Sequence, residues 1–595
     1  MSEAALPALS QSPVSKWVER LRGSENRLSL VLSLVIGALV SLVVVAFILL
    51  TGRLAARMYP AGGSGWRRLL VPSLGSLVTG FLLYRYFPNA RGSGIPQAKF
   101  ALFIEDGYIS FRTVLGKFFC CSASLASGVA LGREGPSVQI GAGLASVIAR
   151  RLGLSREQVK QLLPVGCSAA LAAAFNTPIA AVLFSLEEIV GDLNASVLGS
   201  VVLSSATSWM VLHLVLGDEP LFHVAGYQLV NPLEFAFYAV LGLVGGIGSV
   251  AFVKLLLALR ARFMQFPRST LWFLPVVGGL ATGIMGFFVP EVLGVGYNYV
   301  EKVLNGDLVL KTVVILAVLK ILATAICYGS GNAGGIFGPA LFIGAMIGGA
   351  VGSVAHSLFP AFTADPGAYA LVGMGAAFAG IVRTPLTSVI MIFEVTRDYS
   401  IIVPLMISNL ISFFISYKFQ KEPIYEALAH QDGVHLPVGG SRAQSPKFQV
   451  SEIMETPPVI LSPDTEIAEA GVRVRRLPFD AAPVVDGQGL WGMVHRWELE
   501  SALAKGAEHK KVADLLGGTF PEHPHTASEL PHVHPDHGID TALERLGTSG
   551  HDILPVVSRA NVRQLLGIVT LEDVLQAYGL DRFSRLREGS EKQKP

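Results

Sequence analysis

Charge is scarce in this chain. Only 15% of its 595 residues are Asp, Glu, Lys or Arg, whereas 51% are hydrophobic, and the mean hydropathy is +0.53. The formal net charge of +2 argues against a nucleic-acid partner. Apolar runs long enough to cross a bilayer recur from about residue 28 to about residue 418, for example over 28–50, 69–87, 235–253 and 271–289. We therefore predict a polytopic membrane protein with a soluble part attached.

Cysteine is also scarce: there are four, and no two form a CxxC pair. This argues against a disulfide framework and a zinc ribbon, and because all four lie in the apolar part we expect buried, small hydrophobic side chains. They are Cys120, Cys121, Cys167 and Cys327. An HExxH motif and a nucleophile elbow are missing as well, so no enzyme, no metal site and no required cofactor are predicted. Residues 1–27 show no cleavable signal and are expected to form an N-terminal cytoplasmic segment.

The apolar part, residues 28–430, contains two homologous halves, about 28–215 and 232–420. "GVALGREGPSVQIGA" (128–142) aligns with "GNAGGIFGPALFIGA" (331–345), and "NTPIAAVLFSLEE" (176–188) aligns with "RTPLTSVIMIFEV" (383–395). Both halves are interrupted by Gly and Pro at matching places. Irregular backbone at membrane depth is tolerated only around a protein-lined or water-filled path, so the solute site is expected where these interruptions meet.

The interruptions predict an anion site. In "GREGP" and "GIFGP" a turn is followed by Pro at an early helical position, and "GSGIP" (92–96) offers a third start of this kind. Such helix N-termini direct free N–H groups and the positive end of the dipole at the solute. A cation site would need clustered carboxylates or carbonyls, which leaves a cation transporter with regulatory domains as a distant alternative.

The C-terminal part has a different character and its own repeat. Residues 431–447 are predicted to be a linker, 448–508 and 509–580 two α/β units of helix, strand, strand and helix, and 581–595 a polar tail. "SPDTEIAEA" (462–470) parallels "HPDHGIDTA" (534–542), and "APVV" parallels "LPVV". The pair resembles tandem CBS domains.

Four segments, "GSGIP", "GREGP", "GGIFGP" and "KEPIY" (421–425), resemble in sequence and order the anion-site segments of the CLC family of chloride channels and chloride/proton exchangers, of the prokaryotic type with a C-terminal CBS pair. The resemblance implies an all-α inverted-repeat fold, followed by the α/β CBS pair. It also implies a homodimer in the inner (plasma) membrane, with cytoplasmic CBS domains and one anion path in each protomer. The transported ligands would be chloride and protons.

The family's site residues carry over to matching positions of this sequence. Ser93 and Tyr425 would donate hydroxyls to the anion, beside the backbone amides of Ile336 and Phe337 and the glycines Gly135 and Gly338. Serine at 93 favours chloride, since similar proteins that prefer nitrate have proline there and a fluoride-selective branch has methionine. Glu134 would be the external gating glutamate, with Arg133 and Lys117 providing positive potential. Taken alone, Ser93 is also compatible with a helix N-cap and Tyr425 with an interfacial aromatic.

Two adjacent acids decide between an exchanger and a channel. Glu187 has a repeat partner in Glu394, so we interpret it as structural, whereas Glu188 faces Val395 in the repeat alignment. Exchangers of the family tend to hold an acid at this second position as the internal proton relay, and several channels hold valine. We therefore predict a chloride/proton antiporter with Glu188 as the internal proton glutamate. A passive gated chloride channel is the alternative, and a solvated surface role for Glu188 stays open.

The CBS pair retains half of a nucleotide pattern. In the second repeat, Thr570 and Asp573 have the spacing with which such domains hold a phosphate and a ribose, whereas the first repeat has His495 and Glu498 there. Two interpretations of the CBS pair therefore stay open: it binds an adenine nucleotide (ATP, ADP or AMP), or it is a regulatory or dimer-stabilising module without a ligand. A histidine-rich segment leaves metal binding as an alternative to a flexible insert; its members are His523, His525, His532, His534 and His537.

Overall fold

The computed structural model describes residues 25–60, 62–193, 196–218, 220–224, 226, 229–434, 448–516, 530–549 and 551–578. The chain divides into two compact units between residues 439 and 440. His523 and His525 lie outside the described residues.

The first half of the first unit is helical. Its helices are α1 (Glu25–Met58), α2 (Gly65–Arg85), α3 (Ile95–Phe103), α4 (Phe111–Ala126), α5 (Glu134–Arg151), α6 (Arg156–Phe175), α7 (Pro178–Phe184) and α8 (Leu198–Leu216). A π-helical turn, Ser185–Val190, continues α7.

The second half repeats this succession. It contains α9 (Glu234–Met264), α10 (Leu274–Phe288), α11 (Tyr297–Leu304), α12 (Leu310–Gly329), α13 (Phe337–Leu358), α14 (Pro366–Val382), α15 (Pro385–Thr396) and α16 (Ile402–Phe419), and a short α17 (Ile424–Gln431) follows. Short 3-10 turns, Pro88–Ala90 and Pro290–Val292, precede the matching loops of the two halves. Six helical segments of the described chain are long and apolar enough to cross a membrane.

Glycine allows the same close helix packing in both halves. A Cβ at Gly141 of α5 would collide with the Gly166 carbonyl of α6, and a Cβ at Gly344 of α13 would collide with the Gly373 carbonyl of α14. Small residues let apolar helices approach until their backbones touch. The two pairs hold α5 on α6 and α13 on α14, which fixes the two helices that begin at "GREGP" and "GIFGP".

The cysteine prediction is confirmed: all four thiols are free and buried. Cys327 Sγ lies 2.8 Å from the Thr282 hydroxyl, within the helix packing of the second half.

The second unit contains two copies of one α/β motif. The first copy comprises α19 (Ile467–Arg475), β1 (Ala481–Asp486), β2 (Gly489–His495) and α20 (Arg496–Ala504); the second comprises α21 (Ile539–Ser549), β3 (Ile553–Val557), β4 (Leu565–Thr570) and α22 (Leu571–Ala577). A one-turn helix, α18 (Val450–Ile453), precedes them. β1 pairs antiparallel with β2, and β3 with β4. The predicted order of helix, strand, strand and helix is confirmed.

Candidate functional site

The interruptions of the two halves meet, as the sequence predicts. Gly132 and Gly335 form an antiparallel bridge in which each N–H donates to the other's carbonyl at 2.7 Å. A Cβ at Gly135 would lie 2.6 Å from the Ser93 carbonyl oxygen, so the start of α5 also touches the loop before α3. The N-termini of α3, α5 and α13 therefore converge at one place inside the unit.

Two buried hydroxyl groups lie at this place. Ser93 and Tyr425 are both fully buried, and the Tyr425 hydroxyl is close enough to interact with the Ser93 side chain. Neither hydroxyl oxygen satisfies the geometry of a hydrogen bond to any partner among the described residues. Burying an unpaired hydroxyl costs free energy, so this pair fits an anion that both groups can hydrogen-bond.

The alternatives for these two residues are wrong. Gly94 stands at the N-cap of α3, and the Ser93 backbone N–H donates to the Tyr328 hydroxyl at 3.2 Å. Ser93 is therefore not the helix N-cap. Tyr425 is the second residue of α17 and has no exposed surface, so it is not an interfacial aromatic.

Glu134 is the first residue of α5 and is fully buried. One carboxylate oxygen, Oε2, accepts a hydrogen bond from the Gly338 backbone N–H at 3.2 Å, and the other accepts one from the Tyr297 hydroxyl. A Cβ at Gly132 would lie 2.5 Å from Oε2, so glycine there makes room for the carboxylate. The side chain of Glu134 thus crosses from the first half to the N-terminus of α13 in the second half.

The other predicted anion ligands lie at the start of α13. Phe337 is its first residue and Ile336 precedes it; both are fully buried. The Phe337 ring packs against Phe175, Phe184 and Phe378, with ring centroids 4.3–5.5 Å apart. The ring anchors this helix start in the core, so any anion contact would come from its backbone N–H. Gly135 is the second residue of α5, as Gly338 is of α13.

Two basic residues flank this region in different ways. The Arg133 Nε lies 3.9 Å from Glu134 Oε1, and its guanidinium lies 5.5 Å from the Tyr297 ring centroid. The Lys117 ammonium donates to the carbonyls of Ala90 and Gly92, at 3.1 and 2.7 Å.

A matching lysine occupies the second half: the Lys320 ammonium donates to the carbonyls of Val292 and Gly294, at 3.1 and 2.6 Å. The two lysines are repeat-related, and each fixes the loop between a 3-10 turn and the next helix. For Lys117, that loop leads directly to Ser93. Supply of positive potential by Lys117 and Arg133 stays a prediction.

Glu188 lies in the π-helical turn and is buried. Its Oε1 lies 2.9 Å from the Lys99 ammonium, which is also 3.5 Å from Glu426 Oε1. A solvated surface role for Glu188 is therefore wrong.

Glu187 has a different environment. Its Oε2 accepts hydrogen bonds from the N–H and the hydroxyl of Thr387 at the start of α15, at 2.8 and 2.6 Å. Glu394 in turn accepts from the N–H groups of Ile179 and Ala180 at the start of α7, at 2.9 and 2.6 Å. The structural interpretation of Glu187 is confirmed, since each acid caps a helix of the other half.

Two cavities adjoin the site. One, of about 580 Å³, is lined by Arg68, Arg133 and Tyr297, next to Glu134. The other, of about 410 Å³, is lined by Arg91, Gly92, Arg260 and Tyr328, next to Ser93. Each cavity carries two arginines, but Arg260 in the second is ion-paired with Asp432 of the same wall, so the first cavity favours the approach of an anion more strongly.

The membrane unit matches a known family model. The model for voltage-gated chloride channels matches residues 75–417, more than half of the chain. The chain belongs to the voltage-gated chloride channel (CLC) family. The CBS-domain model matches twice, at residues 450–505 and 526–579.

Relatives of this CLC protein include named exchangers. A protein of Vibrio campbellii named "H(+)/Cl(-) exchange transporter ClcA" is 32% identical over 357 residues, which cover 59% of this chain and 76% of that protein. Among solved structures, a slow cyanobacterial Cl-/H+ antiporter is 26% identical with a TM-score of 0.62, covering 68% of this chain and 97% of the other. A eukaryotic CLC transporter, 23% identical with a TM-score of 0.59, covers 92% of this chain and 97% of the other. The predicted fold class, an all-α CLC membrane domain with a C-terminal α/β CBS pair, is confirmed.

Three residues of the membrane unit that lie near the site were not identified from the sequence. Tyr297, Lys99 and Glu426 each come within hydrogen-bond or ion-pair distance of a predicted glutamate. The one available signal was Lys99, a charge in the apolar helix "IPQAKFALF". Tyr297 is uncharged and its contact is made across the fold, and Glu426 lies in a short helix that has other polar residues, so neither carries such a signal.

In the CBS unit, Thr570 and Asp573 bond each other. The Thr570 backbone N–H and hydroxyl donate to Asp573 Oδ2 at 2.8 and 2.7 Å, and the Asp573 N–H donates to the Thr570 hydroxyl oxygen at 3.2 Å, which caps α22. Glu498 has the matching role in the first repeat, because its carboxylate accepts a hydrogen bond from the His495 N–H at 2.8 Å. Nucleotide binding by this pair stays a prediction.

The histidine-rich segment was the candidate for metal binding. His532 and His534 each place a ring nitrogen within hydrogen-bond distance of a backbone carbonyl. The described residues contain no group of three or more His, Cys, Asp or Glu that could hold a metal ion.

Proposed function

We propose that this protein exchanges chloride for protons across a membrane, with Ser93, Tyr425 and helix N-termini holding the anion. The observation that carries the proposal is the position of the Glu134 carboxylate on the Gly338 N–H at the start of α13. An ionised carboxylate and a chloride ion compete for this N–H and for the positive end of the helix dipole. Protonation removes the charge that holds the carboxylate there. Proton binding at Glu134 and anion binding are thereby linked.

The donor set favours a halide-sized anion over a cation. The two hydroxyls and the N–H groups at helix starts are donors, and the described residues contain no group of three or more acidic, histidine or cysteine side chains that could hold a metal cation. This argues against the cation transporter. Chloride is also the anion named for the exchanger relatives.

Glu188 is the second proton group of the proposal and distinguishes an exchanger from a passive channel. A passive channel needs a gate but no second buried acid. Glu188 is buried and ion-paired with Lys99 of helix α3, which begins beside Ser93. Retaining a buried acid costs free energy, which favours a role in moving protons.

The remaining parts of the proposal concern assembly and placement. The protein would work as a homodimer in the inner (plasma) membrane, with an anion path in each protomer and the CBS pair in the cytoplasm. Its partners would be chloride, protons and lipid. It is a transporter and not an enzyme, and it needs no cofactor.

The test is neutralisation of each glutamate in the full chain, reconstituted in liposomes with chloride and pH recorded together. Glu134→Gln keeps the shape of the side chain but cannot ionise, so chloride flux should persist and proton flux should fall about a hundredfold or more, with loss of pH dependence. Glu188→Gln should lose proton flux but keep a pH-dependent chloride flux, because the Glu134 carboxylate is unchanged.

Glu157→Gln is the matched control, since Glu157 is an exposed acid. It should transport like the unmutated protein. Proton coupling that survives in Glu134→Gln would contradict the proposal.

A further inference from the structure

A buried cluster of three charged groups lies on the helices that carry the anion ligands. Lys99 lies on α3, Glu426 on α17 and Glu188 on the π-helical turn. Their side chains are only 5%, 10% and 7% exposed. Lys99 Nζ is 2.9 Å from Glu188 and 3.5 Å from Glu426, so one ammonium bridges two carboxylates.

The charges of this cluster do not balance. Two ionised carboxylates and one ammonium leave a net charge of −1 in a buried place, where an uncompensated charge is costly. In addition, Glu426 Oε2 is buried and has no hydrogen-bond partner among the described residues. Binding one proton makes the cluster neutral and turns one carboxylate into a hydrogen-bond donor.

The other charged and titratable groups facing the cluster do not remove this imbalance. The Arg383 guanidinium adds one positive charge, which interacts with Glu426 from the C-terminal end of α14. Glu187 adds one negative charge, which faces Glu188, so these two charges cancel and the net charge stays −1. Tyr425 interacts with Glu188 from α17.

We propose that Glu426 is a second inner proton-binding residue that shares one transported proton with Glu188. This proposal rests on the proposed exchange function. Lys99 is the positioning residue that holds the two carboxylates together. When the proton enters, the cluster goes from −1 to neutral, and when it leaves for the transport path the negative charge returns. No covalent bond other than the O–H bond forms or breaks.

This arrangement links the cluster to the anion site through the backbone. Glu426 directly follows Tyr425, and Lys99 lies on the helix that begins beside Ser93. A change of charge in the cluster therefore acts on both elements that carry the hydroxyl ligands.

The test uses the full chain in liposomes, with chloride and proton fluxes recorded together from pH 5 to pH 8. Glu426→Gln should keep chloride flux, lower the proton-to-chloride ratio about tenfold or more and change the pH profile of proton flux. Lys99→Gln should also lower the ratio, and Lys99→Arg should restore it because the cation is kept. Glu422→Gln is the matched control, since Glu422 lies on the same segment but is exposed.

The inference is overturned if the wild-type protein couples protons to chloride and Glu426→Gln has the same proton-to-chloride ratio and pH profile. That result would leave the exchange function intact. A wild-type protein that moves chloride without protons would overturn both. If Lys99→Gln does not fold, the near-isosteric Glu426→Gln variant still tests whether Glu426 binds the transported proton.

Discussion

The Glu134 carboxylate is held by two donors that both belong to the second half of the chain. The Tyr297 hydroxyl and the Gly338 N–H bond its two oxygens. Hydrogen bonds to a charged group contribute about 1.5–3 kcal/mol each. These donors set how easily the carboxylate gives up its place to an anion.

Tyr297→Phe removes the hydroxyl and keeps the ring. Because the carboxylate is then held less tightly, chloride should compete better, and its apparent affinity should rise by about tenfold, which corresponds to about 1.4 kcal/mol. Calorimetric titration of the purified protein with chloride measures this. Tyr299→Phe, on the same helix and cavity wall, is the control. An unchanged affinity in Tyr297→Phe would show that the hydroxyl does not hold the carboxylate in place.

At the scale of helices, each half caps a helix of the other. Glu187 holds the start of α15 and Glu394 the start of α7. Both helices begin at Pro in "NTP" and "RTP", so the two acids satisfy N–H groups that the helices leave free. These reciprocal caps connect the two halves close to Glu188.

Glu394→Ala should destabilise the protein, because the N–H groups of Ile179 and Ala180 lose their acceptor. The expected cost is about 1–2 kcal/mol, typical of a lost helix cap. Thermal unfolding in detergent measures it, with the exposed Glu157→Ala as the control. A melting temperature equal to that of the control would mean that Glu394 does not act as a cap.

The positions of the site helices were predictable from sequence, and some of their contacts were not. The Gly and Pro spacing of the repeat predicts where α3, α5 and α13 begin, because backbone conformation there depends on local residue type. Tyr297 meets Glu134 over a separation of 163 residues, and no local pattern encodes such a contact. Lys99 reaches Glu188 and Glu426 in the same non-local way.

At the scale of the whole molecule, the second unit has its own pH-sensitive contact. The rings of His495, at the end of β2, and His551, before β3, stack with centroids 4.5 Å apart and join the two repeats. Burial, and then the nearby His551, hold the pKa of His495 below its ordinary value of 6.5. The neutral ring is favoured in the folded state, so its stabilising contribution is present above about pH 6.5 and is lost as the pH falls through the lower folded-state pKa.

Acidification should therefore loosen the CBS unit. We expect amide protection of β1 to β4 in the full chain to fall between about pH 7 and pH 5, after correction for the intrinsic exchange rate. Hydrogen exchange with mass spectrometry measures this. His495→Gln should reduce the fall, and His509→Gln, at a ring that is 91% exposed, should not. Equal loss of protection in all three proteins would assign the effect to other groups.

Coupling between chloride and protons is the central claim, and it is tested most directly with the unmutated chain. Liposomes containing the protein are given a chloride gradient at equal internal and external pH, and proton movement is recorded as chloride runs down. The account predicts that protons move in the direction opposite to chloride and build up a pH difference, which a proton ionophore abolishes. Chloride that dissipates its gradient without driving protons would contradict the account and identify the protein as a passive chloride channel.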